Sequence, residues 1–534
     1  PTRRSSDLIS LQKYLLGSRH FFRFDYTGKL LIFRKEGTGK MTAIGFDNQK
    51  YLTTQSEQIR HRIAQFGGKL YLEFGGKLFD DYHASRVLPG FKPDSKIRML
   101  QQLKNDVEIV IAINAADIES NKIRGDLGIT YDEDVLRLID TFREMGLYVG
   151  SVVLTQYTGQ KSAQTFLKRL ETLGVPHYRH FPIPGYPSDV DFIVSEEGLG
   201  QNEYIETTRS LIVVTAPGPG SGKMATCLSQ LYHDHKHGIE AGYAKFETFP
   251  IWNLPLKHPV NLAYEAATAD LNDVNMIDPF HLEAYGKTAI NYNRDVEIFP
   301  VLNAIFERIQ GVSPYKSPTD MGVNMAGNCI VDDDVCRRAS RMEILRRYYA
   351  AGVKHMRGAS NEQEINHLKL IMNQAETTPD ICPAVAVSLD KAEQTGAPAA
   401  AMMLPDGRIV TGKTSSTLGC ASAMLLNALK LLAGIDHDVD LISARVLEPI
   451  CQLKTEYLLH KNPRLHIDEV LLALTISALR NEVAQKAKEQ LSKLRGSEVH
   501  FTVIISEEDE RVLQRLGINV SCEPRYETSR LYHK

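Results

Sequence analysis

The sequence predicts an α/β protein of several domains, and three observations predict it. The chain has 534 residues, which at roughly 150 residues per domain makes about three or four domains. Hydrophobic residues are 43% and charged residues 24% of the chain, which are globular values. Between residues 67 and 223, strand-like and helix-like segments alternate. That rhythm is the signature of a mostly parallel sheet with helices on both faces.

Element by element, 69–74 (KLYLEF) is a β-rich apolar strand. Residues 94–104 are helical by period, with Ile97, Leu100 and Leu103 on one face and Asp94 at the N-cap. Residues 107–113 (VEIVIAI) read as a buried strand. Residues 132–145 form an amphipathic helix with Val135, Leu138, Ile139 and Phe142 as its stripe. A strand over 147–155 and a helix over 160–173, ended by Gly174, come next. Residues 190–194 and 211–215 are read as two more strands. The middle is different: 250–261 and 311–328 are loops rich in Pro, Gly and Asn, and 300–309 is a short helix. Helices follow over 332–351 and 360–374, the second opened by a Ser360/Gln363 capping box. Residues 384–389 and 399–404 are strand-like, and Pro405-Asp406-Gly407 turns the second into a return strand over 408–411. A helix over 420–432, long amphipathic helices over 442–460 and 466–494, and a closing βαβ from Val499 complete the chain.

Lys plus Arg number 62 and Asp plus Glu 65, for a net charge of −3. Such balance argues against a general nucleic-acid binder, which neutralises phosphates with basic residues. Seven cysteines with no CxxC pair suit a reducing cytoplasm rather than a disulfide scaffold. No apolar run approaches the roughly 18 residues of a membrane span; the richest, 421–435, is interrupted by Asn427 and Lys430. Residues 1–40 lack an initiator methionine and the order of a signal peptide. Met41 opens MTAIGFDNQKYL, preceded by Lys35-Glu36-Gly37, residues that purine-rich codons can encode. Residues 1–40 are therefore expected to be a non-native upstream extension translated in frame, the alternative being a genuine short N-terminal segment.

The block from Ile44 through HASRVLPG at 83–90, together with VTAPGPGSGK at 214–223, resembles the bacterial family of the domain of unknown function number eighteen-forty-six. The resemblance runs from about Met41 to the C-terminus. It implies a multi-domain α/β architecture whose C-terminal part is similar to the three-layer cytidine-deaminase-like fold, and it implies no activity. The expected organisation is an α/β domain over 41–310 carrying a phosphate-binding-type loop, a helical segment over 311–378, and a C-terminal α/β domain with long helices over 379–534.

The chemistry must then come from the residues. LIVVTAPGPGSGKMAT at 211–226 reads as strand, glycine-rich loop and helix. Backbone N–H groups of such a loop and of a helix start favour phosphate. Gly218, Gly220, Ser221, Gly222, Lys223 and Thr226 are the candidate phosphate ligands. A full Walker A motif wants Gly at 217 and a hydroxyl at 224, where Pro217 and Met224 stand. A second hydroxyl-rich loop, Gly412, Lys413, Thr414 and Ser415, precedes the 420–432 helix and also suits an anion. Zinc-deaminase chemistry is not expected there, because the segment reads Gly419-Cys420-Ala421-Ser422 and no Cys-x-x-Cys follows.

A third candidate is acidic. Asp270, Asp273, Asp278 and Glu283 surround His281 with Asn272 and Asn275 between, oxygen-rich enough for Mg²⁺ or general-base work. A helix cap and solvated loop is the plainer account. Cys329 is a candidate nucleophile, or simply a small buried residue. His233 and His237, spaced i, i+4 about His235, suit a metal or a solvated helix end. Gly75-Gly76-Lys77 ends the first strand, where it would line a crevice with Asp80, Asp81, His83 and Arg86. Together these residues point to a cytoplasmic enzyme binding a small phosphorylated molecule. Phosphoryl transfer or ATP-dependent ligation is expected, with Mg²⁺ and ATP as cofactors. The metal would sit on Asp270, Asp273 and Asp278, of which Asp270 and Asp273 are also catalytic candidates. Partners would include neither nucleic acid nor membrane, and a homo-oligomer is expected. The alternatives are a non-catalytic phospho-metabolite-binding protein and a hydrolase or transferase using Cys329.

Overall fold

A computed structural model of the chain describes residues 20–24, 30–34, 43–76, 78–79, 81–124, 127–271, 273–359 and 361–528. Met41, most of the expected extension, Lys77, Asp80, Asn272 and Ser360 lie outside the described residues. The chain divides into two compact units, one over Ile44–Ile381 and another that begins at Cys382.

Besides a two-residue antiparallel ladder between Ile123–Arg124 and Ile129–Thr130, the described strands of the first unit are β1 Leu70–Phe74, β2 Val107–Asn114, β3 Tyr148–Thr155, β4 His177–Arg179, β5 Leu211–Thr215, β6 Gly242–Phe246, β7 Asn275–Ile277, β8 Ile290–Tyr292 and β9 Gly322–Val323. β7 and β8 form a small antiparallel hairpin. The other seven make one sheet in the order β9-β6-β1-β5-β2-β3-β4. Every neighbouring pair in it is parallel.

β1 (LYLEF) and β5 (LIVVT) are buried at every residue, as strands covered on both faces must be. On one face Tyr71, Ile212, Val214 and Tyr243 join a single core with Leu228 and Leu231 of the helix Lys223–Lys236 and with Phe299 and Phe306 of the helix Asn293–Gln310. Alternation along the strands turns Leu70, Leu72 and Val213 to the opposite face. The helix Tyr131–Glu144 buries the predicted stripe of Val135, Leu138, Ile139 and Phe142 and packs on β2 and β3.

After β1 the chain winds outward through β2, β3 and β4, then returns to insert β5 between β1 and β2. It next crosses to β6 on the far side of β1. The strand order therefore reverses around β1 and β5, and ligand crevices in parallel sheets open at the carboxyl ends of strands at such a point.

Several elements differ from expectation. Residues 190–194 are not a strand: Val190–Ile193 is one helical turn, capped by the Asp189 side chain. Residues 384–389 are likewise helical, inside Pro383–Thr395, where Pro383 at the first turn suits a helix start. The helix expected over 300–309 begins earlier, at Asn293, and carries Pro300 within it. The expected loop over 311–328 contains the short helix Pro318–Met321 and the edge strand β9.

In the second unit, β10 Ala399–Met403, β11 Ile409–Lys413, β12 Glu498–Phe501 and β13 Asn519–Cys522 form a mixed sheet in the order β11-β10-β12-β13. β12 and β13 are parallel, joined through the helix Glu507–Arg515 as the closing βαβ predicts. The helix Cys420–Ala433 presses on this sheet so closely that a Cβ on Gly412 would stand 2.1 Å from the Met424 backbone nitrogen. The long helices expected at 442–460 and 466–494 are broken into Ala444–Gln452, a π-turn over Leu453–Tyr457, Ile467–Ala478 and Glu482–Lys488. Asn481 makes one of those breaks by capping the next helix through its side chain. Among the described residues no helix is long and apolar enough to cross a membrane.

Candidate functional site

The glycine-rich loop leaves the carboxyl end of β5 and enters the helix Lys223–Lys236. Gly222 caps that helix at φ +80, a left-handed conformation natural only to glycine. A Cβ on it would stand 2.9 Å from the Thr155 side chain, and one on Gly218 would stand 2.3 Å from the Tyr131 hydroxyl. The loop carbonyls are tied back into the protein. Asn114 Nδ2 donates to Gly220 O at 3.3 Å, Thr155 Oγ1 to Ser221 O at 2.8 Å and Ser221 Oγ to Gly218 O at 3.0 Å. By contrast, the backbone N–H groups of Gly218, Gly220, Ser221 and Gly222 donate to no described group. Lys223 is half-buried and pairs with no carboxylate among the described residues. The result is a run of unspent donors beside one ammonium. Thr226 does not contribute: its hydroxyl turns back to donate to Gly222 O at 3.0 Å.

Next to this loop, across β1, lies a charged cluster that sequence reading passed over. Lys245, near the end of β6, holds both Asp295 oxygens at 2.8 Å and Glu247 Oε1 at 2.7 Å. These two carboxylates keep its ammonium charged against the burial that would discharge it. Burial drives the Glu247 pKa upward, Lys245 draws it down and Asp295 raises it again, and the net result is about 7. The Glu247 side chain remains 26% exposed. Glu73 on β1 accepts from the Tyr243 hydroxyl at 2.7 Å. The turn after β1 runs alongside: a Cβ on Gly75 would lie 3.4 Å from Glu247 Cγ, and one on Gly76 3.4 Å from Lys96 Nζ.

That turn leads to a second charged group. Asp81 pairs with Lys96 at 2.8 Å, both largely buried. Glu343, 2% exposed, is gripped by Arg86 at 2.9 Å, Arg346 at 2.8 Å and Arg347 at 3.0 Å. His83 Nδ1 stands 3.5 Å from the same carboxylate, without a well-formed hydrogen bond. Burial lowers the His83 pKa and keeps the ring neutral. Of the predicted group, His83 and Arg86 meet at the Glu343 carboxylate while Asp81 is spent on Lys96.

The acidic segment over 270–283 does not converge. Asp273 is ion-paired with Arg294 at 3.0 Å. Asp278 is an N-cap that accepts from His281 N at 3.0 Å and from the Thr319 hydroxyl at 2.6 Å. Asp270 sits in an exposed single turn. Among the described residues no group of three or more His, Cys, Asp and Glu is placed to hold a metal ion. Cys329 is fully buried, donates to Met325 O at 3.4 Å, and has its thiol pKa raised by burial, so the thiolate a nucleophile needs is disfavoured. His233, His235 and His237 lie at the far end of the loop helix, where His233 Nε2 meets Asn202 O at 2.8 Å. In the second unit, the Ser415 hydroxyl is taken up in a turn with Leu418, and the Thr414 N–H donates to Pro398 O. Lys413 is exposed at the end of β11, and Gly412 serves the close helix contact.

A family model described as Domain of unknown function DUF1846, N-terminal, matches residues 44–376, and its counterpart, Domain of unknown function DUF1846, C-terminal, matches 380–532. A UPF0371 protein of Streptococcus sanguinis is 58% identical over 494 residues, which span 92% of this chain and 100% of the relative. One of Streptococcus pyogenes serotype M5 is 57% identical with the same coverage. One of Streptococcus thermophilus is 57% identical over 489 residues, 92% of this chain and 99% of the relative. The two family models between them take in almost everything from Ile44 onward, and the chain belongs to the DUF1846 family.

Proposed function

We propose that the chain is an enzyme that binds a small phosphorylated molecule through residues 218–223. One observation carries this reading: the loop ties its carbonyls inward and leaves four N–H groups and Lys223 unspent at the carboxyl end of a central parallel strand. Unspent donors at a helix start suit an anion. Glu247, on the far side of β1, supplies an acid–base group whose pKa of about 7 suits proton transfer at neutral pH. Phosphoryl transfer or ligation remains within this reading, as do action in the cytoplasm and a homo-oligomer. Leu472, Ile476 and Leu479 support the last, being 60–80% exposed at helical spacing on the second unit. The mixed sheet of that unit, with its parallel β12–β13 pair, is compatible with a deaminase-like layer arrangement.

The donor set suits a bare phosphate better than an Mg²⁺–nucleotide. Met224 stands where the metal-binding hydroxyl would be, and the Thr226 hydroxyl is spent on Gly222 O. Met224→Ser is therefore expected to give no Mg²⁺-dependent gain in nucleotide affinity. A gain that vanishes when Mg²⁺ is removed would restore the nucleotide reading.

Lys223→Ala is expected to weaken binding of a phosphorylated ligand by about 1.5–3 kcal/mol, the worth of a charge-assisted contact, which is roughly ten- to a hundred-and-fifty-fold. The fold should survive, since the side chain is only half-buried. Thermal shifts across a panel of phosphorylated metabolites and inorganic phosphate, wild type against variant, test it. Equal shifts in the two proteins would sink the phosphate-loop reading.

A further inference from the structure

We infer that the helix Ile467–Ala478 of the second unit is the pairing surface for a second copy of this chain, set antiparallel to it about a two-fold axis beside Thr475 and Ile476. The inference rests on the homo-oligomer reading above, not on the phosphate loop, and names the surface that makes the contact.

The first argument is where apolar surface is left open. Among the described residues nine large apolar side chains are at least 60% exposed, and six of them fall in one stretch: Tyr457, Leu458, Leu459, Leu472, Ile476 and Leu479. The other three, Ile44, Ile123 and Val312, are scattered singly along the first unit. Single exposed residues are ordinary, whereas a group of them marks an interaction surface. Leu472, Ile476 and Leu479 recur at i, i+4 and i+7 and so form one stripe. The other side of the same helix, with Val470, Ala473 and Leu474, is already buried. The helix therefore carries two apolar faces, where a surface helix of a monomer carries one. Tyr457–Leu459 is held near the start of the stripe, because Lys454 Nζ donates to Glu469 Oε2 at 2.7 Å. Leu459 keeps φ +57, a conformation that is costly for a bulky residue and persists where the surroundings compensate. The six side chains together open an area comparable with the roughly 800 Å² that each partner brings to a standard interface.

The second argument is self-complementarity. A two-fold interface sets one patch against itself. With the axis beside Thr475 and Ile476, Leu472 of each copy meets Leu479 of the other, and Ile476 sits at the centre. The ends of the stripe match in charge. Asp468, exposed one turn before Leu472, and Arg480, exposed one turn after Ile476, flank it. Arg480 pairs with no carboxylate among the described residues. Antiparallel pairing brings Asp468 of each copy within reach of Arg480 of the other. Next to Leu479 opens a cleft of about 430 Å³ whose charged lining is Arg480, Glu482, Lys486 and Glu489. Two cations and two anions cancel, which suits an identical surface better than a strongly charged partner. A membrane surface would call for a basic rim.

The test is sedimentation of the full chain. Wild type is expected to run as a dimer or a larger even-numbered assembly at micromolar concentration. Ile476→Glu should halve its mass, because the two-fold axis sets the new carboxylates against each other. The side chain is exposed, so the fold should be unchanged by circular dichroism. Thr475→Cys is the second variant. Its exposed thiol should be joined to that of the other copy by a short bis-maleimide, the seven native cysteines all being buried. An assembly that Ile476→Glu leaves whole, or that Thr475→Cys does not cross-link, would overturn this inference alone. A monomeric wild type would leave the face to a different protein or to a membrane, and would overturn the homo-oligomer reading as well.

Discussion

Glu343→Ala is expected to lower the stability of the protein by about 3 kcal/mol, at the lower end of the range for breaking a buried ion pair by removing one partner. Glu343 is 2% exposed and sits on the helix Asp333–Met356. Arg346 and Arg347 reach it from one turn further along, and Arg86 reaches it from the helix Tyr82–Val87. Removing the carboxylate leaves guanidiniums only 12–34% exposed facing one another. Their partial exposure keeps the loss below the extreme. The thermal midpoint should fall by roughly 4 °C for a unit of this size. The pH dependence has a definite sign. Burial alone would raise the Glu343 pKa, but Arg346, Arg86 and Arg347 reverse that and hold it well below the carboxylate range. A depressed folded-state pKa contributes stability that is fully present above the unfolded value of about 4.3 and is lost as pH falls towards the folded value. The gap between wild type and variant should therefore be flat from pH 8 to pH 5 and shrink only in stronger acid. Combining the change with Arg347→Met should cost less than the two single losses added together. Thermal melts of the four proteins decide it; a loss under about 1 kcal/mol, typical of exposed pairs, would show that solvent already screens the cluster.

The parallel sheet and its glycine-rich loop were legible because their causes are local. β5 is a run of apolar residues, and Gly222 is demanded by its own φ of +80 and Gly218 by contact with one ring. The acidic density at 270–283 misled because residue counting ignores caps. Asp278 before Pro279 is a helix start by chemistry, and its carboxylate is spent on the His281 N–H and on Thr319. The valines at 384–389 suggested a strand, yet Pro383 at the first turn set a helix whose buried positions Ala384, Val385 and Ser388 follow helical spacing. The charged cluster was hidden for a different reason. Lys245 meets Asp295 across 50 residues and Arg86 meets Glu343 across 257, encounters that only tertiary structure brings about. One signal was available: Lys245-Phe246-Glu247 at the carboxyl end of a strand places two ionisable side chains on the same face, at the edge where parallel sheets bind ligands.

That Lys–Phe–Glu segment carries the last prediction. Glu247→Gln is expected to stabilise the protein at pH 8 and to leave it nearly unchanged at pH 5. Burial raises the Glu247 pKa, Lys245 lowers it and Asp295 raises it, leaving it near 7, above the ordinary carboxylate value. Between those two values the native state binds a proton that the unfolded chain has released, so stability falls as pH rises through this window. Glutamine resembles the protonated acid in shape and removes the titration. The variant should accordingly gain up to about 3 kcal/mol over wild type once pH exceeds 7, the linkage equivalent of such a shift. Lys245 is not abandoned by the change, because both Asp295 oxygens stay within 2.8 Å of its ammonium. Thermal midpoints of wild type and variant between pH 5 and pH 8.5 provide the measurement. Curves that meet near pH 5 and part above pH 7, with the variant higher, are the expected outcome. Parallel curves would mean that Glu247 is already ionised at pH 5, held there by Lys245, and the group would then be unsuited to proton transfer at neutral pH.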